Sequence, residues 1–318
     1  MKFAILGCGS IGKRHLKNLI KLNIKKKEII LWDRSIKRKK EIPYKDIKFF
    51  TNMNEMFSLE NPNTCFICTP SSLHIKHALK AASNNCNIFI EKPLTDDISD
   101  VDELRKIIND KKLIVSVAAN MRFHQAVVEV KKIVENNIIG KVIWGHFFSG
   151  SYLPNWHPNE DYRSNYSAKR RLGGGCLLDN IHEVDLVHWF FGKPKKIIGN
   201  YYRTKTLEIQ TEDMADIIFI YPDKNVTIHL DYIQYPAGRG IKLIGSKGWC
   251  EWSLENKYVL IFKEKKMKKI FLPKNYNKNT MYLDQMKYFI SCLKNKINPV
   301  NDLKSGLAAV NSVLELKK

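Results

Sequence analysis

The chain has 318 residues, of which 44% are hydrophobic, and its 53 basic and 32 acidic side chains give a formal net charge of +21. This length and apolar content exclude a disordered or fibrous chain and favour two globular domains. A basic chain can bind nucleic acid or an anionic membrane surface. Here the lysines are scattered in short clusters without interleaved aromatic residues, so we predict that neither is a partner.

The first third of the chain alternates short apolar runs, which predict strands, with patterns of helical period. Strands are predicted over 3–6, 29–32, 65–68, 88–90 and 113–117. Helices are predicted over 11–20, 74–82 and 100–108. The last of these helices has Ser99 as a candidate N-cap. This alternation indicates a doubly wound parallel sheet with helices on both faces.

From about residue 120 the pattern changes, which places a domain boundary between residues 119 and 120. An irregular stretch at 151–175 is rich in Tyr, Trp, Arg and Pro. Alternating segments with turn signals over 196–271 predict antiparallel strands. The remaining predicted elements are a helix over 125–136, a strand over 142–148, a helix over 176–191, and closing helices over 282–293 and 303–316.

Seven dispersed cysteines, an odd number, predict free thiols in a reducing compartment rather than a disulfide framework. Cys65 and Cys68 form a CxxC inside an apolar run that predicts a buried strand. Residues three apart on a strand point to opposite faces, so we interpret both as small core residues. The apolar run over 3–6 is too short for a signal peptide, and the other apolar runs fall short of the ~20 residues of a spanning helix, so we expect a cytoplasmic protein.

Residues 7–12 read Gly-Cys-Gly-Ser-Ile-Gly, a GxGxxG turn between a predicted strand and a predicted helix. The next strand ends at Asp33, which completes the context of the dinucleotide fingerprint and predicts a Rossmann domain over 1–119. The glycines let the backbone approach a pyrophosphate at the helix N-terminus. Asp33 would accept the ribose hydroxyls and repel a 2′-phosphate, so we predict NAD, while Arg34 keeps NADP open. The residues expected at the cofactor here are Gly7, Gly9, Ser10, Ile11, Gly12, Asp33 and Arg34.

Glu91-Lys92-Pro93 ends a predicted parallel strand. Ligands of open α/β sheets bind at the carboxyl ends of strands, and a lysine there can hold a substrate hydroxyl or move a proton. A surface Lys-Pro pair is the alternative interpretation.

Gly173–Gly175 precede a predicted helix on which Asp179 and His182 are three residues apart and share one face. A histidine beside a carboxylate suits acid–base catalysis of alcohol oxidation, and a capped helix with a structural histidine is the alternative. Asp185 and His188 continue the stripe, but it lacks a ligand-specific motif and we predict no metal.

In their order along the chain, these motifs resemble the glucose–fructose oxidoreductase/inositol dehydrogenase (Gfo/Idh/MocA) family over nearly the whole length. The resemblance implies a Rossmann domain plus an α+β substrate domain over 120–318 with an open, mostly antiparallel sheet. It also implies homo-oligomers and reversible hydride transfer between NAD(P) and a hydroxyl-bearing ring carbon. The motifs are the GxGxxG turn with Asp33, Thr69-Pro70 with His74, Glu91-Lys92-Pro93-Leu94, Asn120-Met121-Arg122, and the glycine turn with Asp179 and His182.

The resemblance also implies roles for individual residues. Lys92, Asp179 and His182 correspond to the active-site residues, although the acid and histidine of the family are commonly four residues apart rather than three. The loop 152–163 resembles the substrate-side loop of members found among genes for surface sugars and nonulosonic acids, and its content suits an anionic or nucleotide-linked sugar. Further residues expected at the cofactor are Thr69, Pro70, His74, Glu91 and Lys92. Those expected at the substrate are Arg122, Tyr152, Trp156 and Arg163.

We therefore predict an NAD(P)-dependent oxidoreductase acting on a CH–OH group of a sugar, polyol or nucleotide sugar. His182 would accept the hydroxyl proton, Lys92 would orient the oxygen, and Asp179 would hold the sugar or tune the histidine. Two alternatives stay open. One is a reductase of a non-sugar substrate, such as an imine, a tetrapyrrole or a dihydrodiol, on the same fold. The other is a catalytically inactive NAD(H)-binding protein.

Overall fold

The computed structural model describes residues 1–317, which divide into two compact units. The first unit contains Met1–Ala118 together with Tyr282–Gly306, and the second contains Ala119–Met281 and the chain from Leu307 onward. The first segment of this unit ends at Ala118, one residue before the domain boundary that the sequence predicted between residues 119 and 120. Residues 282–306, expected in the second domain, instead pack with the first.

A six-stranded parallel sheet forms the centre of the first unit, with the strand order β3-β2-β1-β4-β5-β6. Its inner strands are buried on both faces, which explains why their sequences are continuous apolar runs rather than alternating ones. The doubly wound architecture predicted from the sequence is confirmed. The strands are β1 (Phe3–Leu6), β2 (Ile29–Trp32), β3 (Lys48–Phe50), β4 (Thr64–Ile67), β5 (Asn87–Ile90) and β6 (Val115–Val117).

Four helices connect these strands, and three of them lie where the helical patterns predicted. The fourth, together with β3, was not predicted, because both elements are short and carry a weak pattern. Ser99 does not cap the helix that follows it, since its hydroxyl donates to the Asp97 carboxylate at 2.6 Å and Asp100 occupies the N-cap position. The helices are α1 (Ser10–Lys21), α2 (Met53–Glu60), α3 (His74–Ser83) and α4 (Val101–Lys111).

The second unit contains an eight-stranded sheet in the order β14-β13-β12-β11-β7-β10-β9-β8. Neighbouring strands are antiparallel except β7 and β10, so the mostly antiparallel sheet expected from the sequence is confirmed. The strands are β7 (Val142–Gly150), β8 (Lys196–Tyr202), β9 (Met214–Ile220), β10 (Asn225–Asp231), β11 (Gly238–Gly245), β12 (Gly248–Ser253), β13 (Tyr258–Lys263) and β14 (Lys266–Phe271).

The helix predicted over 176–191 is in fact two helices, because the backbone at Asn180 leaves helical geometry with φ −94° and ψ 28°. Before them, residues 151–175 form short 3₁₀ turns. Within residues 1–317, no helix combines the length and the apolar character that a membrane crossing requires. The remaining helices are α5 (Gln125–Glu135), α6 (Cys176–Asp179), α7 (Ile181–Phe191), α8 (Thr280–Asn295) and α9 (Leu303–Leu316).

The C-terminal return of the chain completes the core of the first unit. Phe66 and Phe89 on neighbouring strands stack with ring centroids 5.0 Å apart, and Phe289 of α8 packs against both at 6.0 and 5.4 Å. The peptide of Asn301 accepts from the Val117 N–H at 2.7 Å, while its side-chain amide donates to Ser116 Oγ and Val117 O. The loop between α8 and α9 therefore covers the edge of β6.

All seven cysteines are buried free thiols. Burial raises the pKa of Cys65 and of Cys68 well above the ordinary value. Deprotonation of either thiol is therefore disfavoured, which fits their interpretation as core residues.

Candidate active site

The glycine turn after β1 uses its three glycines in different ways. Gly7 has φ +101°, and a Cβ there would press on the Cys68 carbonyl. A Cβ on Gly12 would overlap the Gly7 carbonyl oxygen, so this glycine permits the close packing of α1 on β1. Gly9 has an ordinary φ of −68°, and within residues 1–317 a Cβ there would meet no atom within 4 Å beyond its immediate neighbours in the chain. Gly9 therefore leaves open space at the N-terminus of α1, which fits the pyrophosphate of a dinucleotide.

Asp33 follows β2 at the same edge of the sheet and fixes this turn. One carboxylate oxygen accepts from the Cys8 N–H at 2.8 Å and the other accepts from the Ser35 N–H at 2.9 Å. A carboxylate offers about four lone-pair sites, so it can accept ribose hydroxyls in addition. Ser10 and the half-buried Ile11 lie within this turn, and the exposed Arg34 directly follows Asp33 in the chain. The residues present therefore fit a bound NAD.

His74, expected at the dinucleotide, is buried and holds two loops together. Its ring nitrogens lie 2.8 Å from Thr69 O and 2.8 Å from Pro93 O, so both are used within the protein. Burial lowers the pKa of His74, although the two carbonyls favour the protonated ring. The neighbouring Thr69 hydroxyl lies 3.0 Å from His77 Nδ1, and Pro70 is exposed. His74 thus links the loop after β4 to the loop after β5, and its place at the cofactor stays a prediction.

Lys92 follows β5 and is half-buried, with its backbone held by Glu91. The Glu91 carboxylate accepts from the Lys92 N–H at 3.2 Å and lies 2.6 Å from Nε2 of His15 on α1. Burial would raise the pKa of Glu91, but the His15 hydrogen bond and nearby positive charge hold it below the ordinary value. Glu91 is buried and links α1 to the lysine, and its expected place at the cofactor stays a prediction.

The sequence predicted that Asp179 and His182 share one face of a single helix, but the structure places them in two different helices. Asp179 is the last residue of α6 and His182 is the second residue of α7, with Asn180 between them, and both side chains are buried. The Asp179 carboxylate accepts hydrogen bonds from the Tyr166 hydroxyl and, at 2.6 Å, from the Tyr232 hydroxyl. Burial first, and the Asp179 charge second, raise the pKa of Tyr232.

Aromatic residues of the loop before α6 extend this cluster. Trp156 donates from Nε1 to Ser151 Oγ at 2.8 Å and meets the Tyr232 ring edge-on at 5.4 Å. Tyr152 is half-buried at the start of the same loop. The contacts of Tyr166 and Tyr232 with Asp179 were not predicted from the sequence. The only signal for Tyr166 was the aromatic content of residues 151–175, and Tyr232 resembles an ordinary strand end.

The two arginines expected at the substrate are paired with carboxylates of the chain itself. Arg122 is buried, and its guanidinium donates to both oxygens of Asp185 at 2.6 and 2.8 Å. Arg163 donates to Asp161 at 2.9 Å and to Glu208 at 3.0 Å. Both therefore stabilise local structure in the described state.

The acidic and histidine side chains along α6 and α7 have separate partners. Asp185 is paired with Arg122, and His188 Nε2 lies 2.7 Å from Ser312 Oγ. The described part of the chain, residues 1–317, contains no group of three or more His, Cys, Asp or Glu side chains suited to a metal ion.

Comparison with known proteins covers most of the chain. Residues 1–119 match the GFO/IDH/MocA oxidoreductase family, NAD-binding Rossmann fold, and residues 127–251 match the GFO/IDH/MocA C-terminal domain. The 2,7-anhydro-N-acetylneuraminate hydratase of Mediterraneibacter gnavus is 30% identical over 142 residues, which are 45% of this chain and 37% of that protein. The scyllo-inositol 2-dehydrogenase (NAD(+)) of Bacillus subtilis is 23% identical over 98% of this chain and 94% of its own.

Among solved structures, the WlbA dehydrogenase from Bordetella pertussis in complex with NADH and UDP-GlcNAcA shares the fold. Its TM-score is 0.82 at 19% identity, and the match covers 99% of this chain and 94% of that one. Several curated relatives match over only part of their length, with 37%, 53% and 57% of each covered.

Proposed function

The chain belongs to the GFO/IDH/MocA oxidoreductase family and carries its NAD-binding Rossmann domain, and on this premise we propose that it transfers a hydride between NAD and a hydroxyl-bearing carbon of a sugar. The observation that carries this proposal lies at one edge of the parallel sheet. The open space at Gly9 follows β1, and Lys92 follows β5. Ligands of open α/β sheets bind at this carboxyl edge. Lys92, whose side chain can hold a hydroxyl, therefore lies at the same edge of the sheet as the cofactor turn.

NAD, when bound, supplies the nicotinamide carbon that exchanges the hydride with the substrate. The N–H groups at the start of α1 would hold its pyrophosphate, and Asp33 would accept its adenosine ribose hydroxyls. The negative charge of Asp33 disfavours a 2′-phosphate, and we therefore propose NAD rather than NADP.

We assign the proton chemistry to two side chains. Lys92 donates a hydrogen bond to the reacting oxygen and stabilises the negative charge that develops there as the hydroxyl proton leaves. His182 accepts that proton during oxidation and returns it during reduction, which an imidazole does effectively near neutral pH. Asp179 already accepts two tyrosine protons, so we assign it to positioning rather than to proton transfer.

Within the sugars, we propose an anionic or nucleotide-linked substrate. Arg170 and Arg171 are exposed on the loop that also carries Trp156, and they add positive charge there. Two proteins similar to this chain are described with such sugars, an N-acetylneuraminate derivative in one case and UDP-GlcNAcA in the other.

The direct test is a substrate panel read at the NADH absorbance. Purified protein is mixed with NAD or NADP and with inositols, free hexoses, UDP-sugars including UDP-GlcNAcA, and N-acetylneuraminate derivatives. We expect NAD reduction with at least one sugar, and no reduction by Lys92→Ala protein purified in the same way, which controls for contaminating enzymes. Substrate-trapping mass spectrometry extends the panel to unlisted metabolites. NAD binding without hydride transfer to or from any trapped compound would contradict the proposal.

A further inference from the structure

The chain crosses from β2 to β3 with little regular structure. Residues 33–47 contain one 3₁₀ helix of six residues, Ile36–Glu41, and are otherwise turns and irregular chain. Connections between parallel strands usually run through an α-helix of about a dozen residues or more, which packs on one face of the sheet. A short 3₁₀ helix covers less of that face than such an α-helix would.

A cavity of about 290 Å³ lies between this crossover and the sheet. Leu31 of β2 belongs to the hydrophobic core that also contains Leu16 of α1. Trp32, the next residue of β2, points to the opposite face, where its ring meets His77 at 5.3 Å. The cavity is therefore on the α1 side of the sheet. Its lining residues are Leu31, Lys39, Ile42, Tyr44, Lys45, Ile47 and Phe49.

The lining combines an apolar wall with positive charge. The wall is formed by the aliphatic and aromatic members of the set, all of them buried or half-buried, whereas Lys39 and Lys45 are exposed. Residues 36–47 contain five basic and two acidic side chains, and both acids are already paired with other cations. Within residues 1–317, neither Lys39 nor Lys45 forms an ion pair with a carboxylate. The two acidic pairs are Glu41 with Lys13 at 2.7 Å and Asp46 with Lys26 at 3.3 Å.

We propose that this cavity binds a small amphiphilic anion, an apolar chain that ends in a carboxylate. The chain packs against the apolar wall, where water finds few hydrogen-bond partners and is readily displaced. The carboxylate pairs with Lys39 and Lys45, whose charge no acidic side chain of residues 1–317 neutralises. This inference does not depend on the proposed hydride transfer.

Other small molecules fit the cavity less well. Pockets for drug-sized ligands typically measure about 300–1,000 Å³, and this cavity of about 290 Å³ lies just below that range, so a nucleotide is too large for it. A neutral apolar molecule would use the wall but leave both ammonium groups without a counter-charge. A small polar anion such as phosphate would pair with the lysines but leave the wall facing water.

Calorimetric titration of the full chain with octanoate tests the proposal. The protein is loaded with NADH first, so that the anion-binding turn of the dinucleotide site is occupied. We expect one octanoate per chain with a Kd of about 0.1–1 mM. Hexanoate should bind about tenfold more weakly, because each buried methylene contributes about fourfold. Octanamide, which has the same length without the charge, should bind about fivefold more weakly.

Two results of these titrations would overturn the proposal. One is the absence of saturable octanoate binding up to about 10 mM, or binding of octanamide as tight as that of octanoate. The other is octanoate binding that occurs only in NADH-free protein, which would place the anion at the dinucleotide turn.

Paired lysine variants test where the carboxylate binds. The double variant Lys39→Gln with Lys45→Gln should raise the octanoate Kd about fivefold and leave the octanamide Kd unchanged. The matched control is Lys37→Gln with Lys40→Gln, since these two lysines are exposed on the same crossover but do not line the cavity. The control should bind octanoate as wild type does. Equal losses in both double variants would reflect net charge alone and overturn the assignment. Normal thermal unfolding confirms that each variant is folded.

A fluorine probe in the wall locates the apolar chain. 3-Fluorotyrosine is incorporated at Tyr44, and in a second sample at Tyr258 on β13 of the second unit as a control. As octanoate is added to NADH-loaded protein, we expect the resonance at position 44 to shift with the calorimetric Kd and that at position 258 to stay in place. Octanoate that binds without shifting the resonance at position 44 would lie elsewhere on the protein, and the proposed cavity would be wrong.

Discussion

Gly9 and Gly12 lie in one turn, yet a different physical requirement applies to each. At Gly12 the neighbour is the Gly7 carbonyl, and at Gly9 the space is open. We expect Gly9→Val to fold with the stability of wild type and to lose at least about tenfold in NADH affinity, because the new side chain would occupy the pyrophosphate space. Calorimetric titration with NADH and thermal unfolding measure the two effects.

Gly12→Val is the matched comparison. Its Cβ would collide with backbone, so we expect a loss of stability before any specific effect on the cofactor. Unchanged NADH affinity in folded Gly9→Val protein would mean that the open space is not the pyrophosphate site.

Lys92 and His182 carry the predicted chemistry, and each can be tested without disturbing the glycine turn. General acid–base catalysis supplies about 10²–10⁴-fold in rate, so His182→Ala should lower kcat by about that factor. Lys92→Ala should do at least as much damage, since it removes a positioning group and a charge. The NADH Kd should stay near wild type in His182→Ala protein.

Pre-steady-state hydride transfer, with cofactor binding measured separately, distinguishes these losses from weaker binding. Wild-type hydride-transfer rates in both variants would contradict the assignment. A loss confined to Lys92→Ala would instead leave His182 as a structural or substrate-binding residue.

Among the helices, strands and turns, the ones predicted correctly are those that a local sequence pattern marks. The buried strands of the first unit are continuous apolar runs, and the glycine turn lies between a strand and a helix with a strand-end acid following. Both signals lie within about thirty residues. The break at Asn180 gave no such signal, because apolar residues continue on either side of it at Leu177, Leu178 and Ile181.

Several of the predicted site residues have hydrogen-bond partners that are distant in sequence. His74 lies against Pro93, Arg122 against Asp185, and Asp179 against Tyr232, at separations of 19 to 63 residues. A single sequence contains the residue types but not these pairings. Buried polar groups must find hydrogen-bond partners, and which partner is chosen depends on the tertiary fold.

The contact between α1 and the end of β5 gives a prediction about pH. The pKa of Glu91 is lowered in the folded protein, so its ionised form contributes stability at pH values above the ordinary glutamate pKa of about 4.3, and this contribution is lost as the pH falls through the lowered value. We expect Glu91→Gln to lower the free energy of unfolding at neutral pH by about 1–3 kcal/mol, with the difference from wild type shrinking on acidification.

Urea unfolding from about pH 7 down to about pH 2, well below the ordinary glutamate pKa, measures this difference. Glu103→Gln on the exposed face of α4 is the control and should match wild type throughout. His15→Gln, which keeps a donor near Glu91, should be less harmful than His15→Leu. A constant difference between Glu91→Gln and wild type over this pH range would contradict ionic stabilisation by the pair.

At the scale of the whole molecule, the chain leaves its N-terminal unit at Ala118 and returns to it at Tyr282. The match of residues 1–119 to the NAD-binding family therefore covers only part of this compact unit. Part of the hydrophobic core comes from α8, whose Met286 and Phe289 are almost completely buried among the strand residues. Asn301 contributes the backbone and side-chain hydrogen bonds at the edge of β6.

This route of the chain predicts how NADH binding responds to truncation. A chain ending at Met281 lacks Met286, Phe289 and Ile290, each worth about 1.5–3 kcal/mol of burial, and it uncovers the edge of β6. Since whole domains are stable by only about 5–15 kcal/mol, we expect the first unit to unfold and NADH binding to be lost. A chain ending at Gly306 keeps every residue of that unit and should bind NADH with wild-type affinity. In the full chain, Phe289→Ala should lower the free energy of unfolding by about 3–5 kcal/mol, because it opens a cavity beside the stacked rings of Phe66 and Phe89. Calorimetric NADH titration and circular dichroism of the two truncated chains test whether the first unit folds and binds NADH without α8. Wild-type NADH affinity in the chain ending at Met281 would show that α8 is dispensable for the NAD-binding fold.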